Sequence, residues 1–121
     1  MKTEPKTSPP LSTAAQYILL ALASEDLHGY GIIQEIARQT QGSYRVGPGT
    51  LYDNLKKLMD QKLVIDAPRN SRSKDHGSDD DRRFYRLTPA GKVVLSAEVD
   101  RLHNIVVEAQ LRLRERRPRN A

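Results

Sequence analysis

The 121-residue chain has no cysteine, no tryptophan and a single phenylalanine. Without cysteine there is no disulfide and no thiolate metal site, and the reducing cytosol is a permitted environment. With aromatics at 5% of the residues a large aromatic core is excluded, and one domain of this length buries only a modest core. Pairing with a second copy is one way to bury more. No stretch approaches the roughly 18 apolar residues of a membrane span, and Met1 to Pro10 lack the apolar run of a signal peptide. The expectation is a soluble cytoplasmic protein with no membrane partner.

Catalytic signatures are missing too. His28, His76 and His103 lie on three separate segments without a ligand spacing, so no metal is expected. Gly29-x-Gly31 follows no strand and has no third glycine in register, so it is not a nucleotide fingerprint. No Ser-His-acid set and no pair of acids in a rigid pocket can be assembled. The chain reads as a protein without enzyme activity or cofactor.

Charge is present, but unevenly. The net charge is +5, and residues 112–121 hold five arginines against Glu115, a net of +4 that leaves the other 111 residues near +1. Charge alone therefore says little about a nucleic-acid face. Residues 1–10, with Pro5, Pro9 and Pro10, read as a disordered arm, and residues 118–121 as the end of a basic tail.

The informative segment is 48–91. Pro48 suits a first helical turn because its φ is preset and its missing N–H would be unpaired there. Leu51, Leu55 and Leu58 recur at spacings of four and three as a buried stripe, and Thr50, Asn54, Lys56, Lys57 and Gln61 occupy the other face. Leu63-Val64-Ile65 and Phe84-Tyr85-Arg86-Leu87 read as two strands, with Leu63 and Ile65 sharing an inward face with Tyr85 and Leu87. Between them, 68–82 is a polar wing tip, and across the wing Arg69, Arg72, Lys74, Arg82 and Arg83 meet Asp66, Asp75, Asp79, Asp80 and Asp81, five against five. Helix, strand, charged loop, strand is the order of a winged helix.

The blocks Leu27-His28-Gly29-Tyr30-Gly31-Ile32-Ile33, Pro48-Gly49-Thr50-Leu51-Tyr52, Leu55-Lys56-Lys57-Leu58 and Arg83-Phe84-Tyr85-Arg86-Leu87-Thr88-Pro89-Ala90-Gly91 together resemble the PadR family of bacterial transcriptional regulators. The resemblance covers roughly residues 14 to 95. It implies a dimeric winged-helix DNA-binding protein, usually a repressor, dimerised by its C-terminal helix. The length resembles the short subfamily, some of whose members stack flat aromatic drugs on a tryptophan between those helices. The matching position here is Leu102, so stacking of that kind has no counterpart.

The flanking helices fit this reading. A first helix should open at Thr13-Ala14-Ala15-Gln16, a capping-box match. Ala15, Ile18, Leu19, Leu22 and Ala23 form one apolar face and Ala14, Tyr17, Leu20 and Ala21 another, which implies burial on both sides. A second helix runs from about Gly29 to Thr40, with Gly42 as its stop, and Tyr44-Arg45-Val46 offers an edge strand. Thr88 and Pro89 start a final helix in which Leu95, Val99, Leu102, Val106, Ala109 and Leu113 repeat at 4, 3, 4, 3 and 4. Over 89–116 it would be about 42 Å long, too long for one small domain to cover its seam.

The resulting expectation is a mainly α fold with a small β-wing. Residues 11–88 form a winged helix-turn-helix domain and 89–117 a long C-terminal dimerisation helix. The function expected is a homodimeric, sequence-specific transcriptional repressor on a pseudo-palindromic double-stranded operator. The DNA-binding residues would be Tyr30, Thr50, Tyr52, Asn54, Lys56, Lys57, Arg72, Lys74, Arg82 and Arg83, with base reading assigned to Asn54 and phosphate contact to the lysines and arginines. At residues 28–31, either Tyr30 and the helix amides hold a phosphate, or the glycines only permit a tight entry. Dimerisation falls to Tyr17, Leu20, Leu95, Val99, Leu102, Val106, Ala109 and Leu113. A small-molecule effector is admitted at Tyr17, Val99, Leu102 and His103, a dry dimer core being the other reading. Two rivals stand beside this: a winged-helix protein-interaction module, and a loosely specific DNA binder driven by the tail.

Overall fold

The computed structural model describes residues 10–67 and 83–115. Four helices and three short strands follow in the order α1 (Thr13–Ala21), β1 (Leu27–His28), α2 (Gly29–Gln39), α3 (Pro48–Asp60), β2 (Val64–Ala67), β3 (Phe84–Leu87) and α4 (Pro89–Glu115). The arm, the wing tip with Arg72, Lys74 and Arg82, and the basic tail lie outside the described residues. Among the described residues, no helix is long and apolar enough to cross a membrane.

Each helix starts on a chemical signal. Ser12, not Thr13, caps α1: its hydroxyl accepts the Ala15 amide at 3.1 Å. That shift removes the reciprocal capping box and frees Gln16 for another role, described below. His28 caps α2 through Nδ1, which accepts the Gly31 amide at 3.0 Å, while its ring stands edge-on to Phe84. Gly47 precedes Pro48 at the start of α3 without a side-chain cap. At α4, Thr88 Oγ1 accepts the Gly91 amide at 2.9 Å and donates to the Lys62 carbonyl at 2.8 Å.

The core forms where α1, α2 and α3 meet the sheet, with Ile18, Leu19, Ile32, Ile36, Leu51, Leu55 and Val64 fully buried. Ala14 and Ala21 are buried by the chain itself, and Ala23 is exposed beyond the end of α1. The expected second apolar face of α1 therefore reduces to exposed Leu20 and half-buried Tyr17, which stacks on Tyr44 with ring centroids 5.1 Å apart. Positive φ at Gln41 and Gly42 ends α2, and the Gly42 amide closes on the Ala37 carbonyl at 2.8 Å.

The sheet is antiparallel in the order β1-β3-β2. Two expectations are corrected here. The edge strand is Leu27–His28, paired with Tyr85 and Phe84, and not residues 44–46. Tyr44 is instead held by Thr40, whose hydroxyl accepts its amide at 3.2 Å. The inward residues of β2 are also displaced by one. Val64 lies opposite Leu87 and is fully buried, while Ile65 pairs with Arg86 and is exposed. The cause is Lys62, which turns left-handed at φ 64 so that the Leu63 amide returns to the Leu58 carbonyl. Leu63 is buried from that turn and the strand enters with Val64 inward. Three helices and this sheet make a winged helix from which α4 departs.

Candidate nucleic-acid interface

The outer surface of α3 is left open by the packing of Leu51, Leu55 and Leu58. Gly49, Thr50, Tyr52, Asp53, Lys56, Lys57 and Asp60 are exposed on it. Its cations are already partnered along the helix: Lys57 Nζ lies 3.7 Å from Asp53 and Lys56 Nζ 3.9 Å from Asp60. Such exposed pairs at i, i+4 contribute only about 0.3–0.5 kcal/mol, so an incoming phosphate can displace them at small cost.

The polar residues divide between two flanks. Thr50, Asn54, Lys57 and Gln61, spaced four, three and four apart, run along the side facing α1 and α4. The Asn54 amide donates to the Thr50 carbonyl at 2.9 Å. Asn54 and Lys57 also line a groove of about 820 Å³ whose floor includes Leu11, Ala15, Leu58 and Val94. Tyr52 lies on the other flank, beside the first residue of α2, and Gly29 is there because any β-carbon would meet the Tyr52 phenol. Gly29 thus serves a close approach, and its neighbour Tyr30 is 63% exposed. At the base of the wing Arg83 pairs with Asp66 at 3.6 Å. Burial pushes the Tyr85 phenol above its ordinary value; Arg83 opposes this, and Tyr52 and Asp66 add to it.

The structure thus brings Tyr52, the start of α2 and the wing base to one side of α3, with Thr50, Asn54 and Lys57 on the other. Of the four effector candidates, Tyr17 stacks on Tyr44, Leu102 is half-buried on α4, and Val99 and His103 are exposed there. Among the described residues no group of three His, Asp or Glu side chains is arranged to hold a metal ion. Two features were not anticipated. Arg86 forms a two-pronged pair with Asp26, at 3.1 and 2.8 Å, that fastens β3 to the approach of β1. Glu98 on α4 is buried, bonded to Gln16 and Arg101. The Glu98–Arg101 spacing of three was the available signal for the second.

Residues 18–97 match the model of the transcriptional regulator PadR-like family. The chain belongs to the PadR-like family. It is therefore a transcriptional regulator and not an enzyme. Over 92 residues it is 34% identical to the transcriptional regulator Rv3488 of Mycobacterium tuberculosis, covering 76% of this chain and 78% of that protein. A PadR family transcription regulator from Clostridium difficile R20291 superposes with a TM-score of 0.67 at 23% identity, covering 84% of this chain and 99% of that one. Bacillus subtilis PadR, solved in complex with operator DNA, gives a TM-score of 0.62 at 23% identity over 76% of this chain and 49% of that one. At such identities these PadR structures bear on the fold, which is that of the winged helix.

Proposed function

We propose that this PadR-like protein is a cytoplasmic homodimer that represses transcription by placing two α3 helices in successive major grooves of a pseudo-palindromic operator. The observation that carries the reading is the open outer face of α3, where Thr50, Tyr52, Lys56 and Lys57 are exposed on a helix whose opposite face is locked into the core. Lys56, Lys57 and Arg83 then serve phosphates, as do Arg72, Lys74 and Arg82 of the wing. Thr50, Asn54 and Tyr52 reach base edges or the adjoining backbone, and Tyr30 flanks them. That the Bacillus subtilis relative was solved on operator DNA supports the same use of this fold.

The dimer is assigned to α4. Beyond Leu102 every described residue of this helix is exposed, including Ile105, Val106, Leu111 and Leu113, and Val99 is half exposed one turn earlier. An apolar seam of that length is a partner surface. Leu95, Leu102 and Ala109 complete it, with Leu20 and Tyr17 of α1 beside it. A small effector would act between the paired helices near Val99, Leu102 and His103. The test is selection of bound fragments from random duplex DNA, then titration of selected and scrambled duplexes at two salt concentrations. Specific recognition requires a sequence ratio that survives at both. A ratio of one at both would overturn it.

A further inference from the structure

Among the described residues Glu98 is the one buried charged side chain, 6% exposed. Its Oε2 accepts Gln16 Nε2 at 2.9 Å and Arg101 Nη2 at 2.6 Å, and its Oε1 accepts Arg101 Nε at 3.2 Å. Packing does not explain this choice, since a paired buried ion is commonly no more stabilising than an apolar side chain of similar volume. What a carboxylate held by a guanidinium fork offers is direction: Arg101, one turn further along α4, orients it toward Gln16 of α1.

Direction matters at this point of the chain. Gly91 and Glu98 are the two buried residues of α4, and Glu98 is the later one. From Glu98 to Glu115 the helix runs on for about 26 Å. A tilt of about 10° at Glu98 would move its end by about 4.5 Å, more than the roughly 3.4 Å rise of one base pair. We propose that Gln16, Glu98 and Arg101 form a positioning joint that fixes the angle at which α4 leaves the winged helix. Through the α4 dimer, on which this inference rests, that angle sets the separation of the two α3 helices and hence the half-site spacing the protein accepts.

The chain has no cysteine, so Lys56→Cys accepts one nitroxide per protomer on the outer face of α3. Dipolar spectroscopy on the full-length protein then reads the distance between the two α3 helices. The parent should give one narrow peak, near the roughly 34–36 Å that separates half-sites one duplex turn apart, or a multiple of it. With Glu98→Leu and Arg101→Leu added, the chain should remain helical and dimeric while the peak broadens and shifts. Gln16→Leu, which removes the bond to α1 and leaves the Glu98–Arg101 pair in place, should give a comparable change in the same direction and serves if the double variant does not fold. Distributions that superpose on the parent in a folded dimer overturn the joint and leave the dimer standing. A parent with no dipolar coupling at micromolar concentration removes the dimer itself, and the joint with it.

Discussion

Gly29 and Tyr52 approach so closely that the first residue of α2 has no room for a β-carbon against the phenol of α3. The obstacle is the far end of a side chain that can swing aside, not backbone. Gly29→Ala should therefore change stability by no more than about 1 kcal/mol. By displacing Tyr52 it should weaken operator binding by about tenfold, roughly 1.4 kcal/mol. Thermal unfolding and DNA titration of the same preparation separate the two effects. Unchanged affinity would remove Tyr52 from the interface.

Gly91 is the contrasting case. A β-carbon there meets the carbonyl of Leu63 and lies 2.6 Å from Leu87 Cδ1. Backbone cannot step aside, so Gly91→Ala should cost about 1–3 kcal/mol of stability by overpacking. Denaturant unfolding with the midpoint compared at constant slope is the measurement.

Val99→Glu with Val106→Glu places two charges in the exposed seam of α4 without touching the core. In an assembled seam each charge costs on the order of several kcal/mol. The expected outcome is a folded monomer in sedimentation, with loss of tight operator binding. A variant that sediments as the wild type does would show the seam to be solvent-facing.

Asn54→Ala and Lys57→Ala should part company on DNA. The first is expected to relax base preference at one position per half-site, at about 1–3 kcal/mol for the lost contact. The second should weaken every sequence alike and reduce the salt slope by about one. Equal losses on operator and random duplex for Asn54→Ala would reassign Asn54 to its bond with Thr50 and to the wall of the groove.

These predictions draw unequally on what was legible in the residues. The α3 stripe of Leu51, Leu55 and Leu58 and the Thr88-Pro89 start of α4 are local signals, and both stand in the structure. The β1 strand was hidden because two residues carry no periodicity, and Leu27–His28 becomes a strand only by pairing with β3. The inward set of β2 was misread because one left-handed residue, Lys62, decides the register, and nothing about a lysine announces that conformation. Glu98 carries no signal of its own in the sequence, because a glutamate on a helix is normally solvated; its partner Gln16 lies 82 positions earlier. In the site, the identities of the α3 residues were readable, while their division between two flanks needed the packing of α1, α2 and α4.

Thr88 stands between the sheet and α4 with no slack. Its amide bonds the Leu63 carbonyl at 3.0 Å, and its hydroxyl holds both the Lys62 carbonyl and the Gly91 amide. Local opening therefore cannot begin at this end of α4, because releasing the first turn also releases the turn that sets β2. In hydrogen exchange the amides of Thr88 and Gly91 are expected to belong to the slow set that opens with the sheet. The far end of the same helix, bonded only to itself within one protomer, is protected to the extent that a second protomer lies against it. In the proposed dimer one continuous helix would thus span two cooperative units, its first turn melting with the sheet and its last turns with the partner.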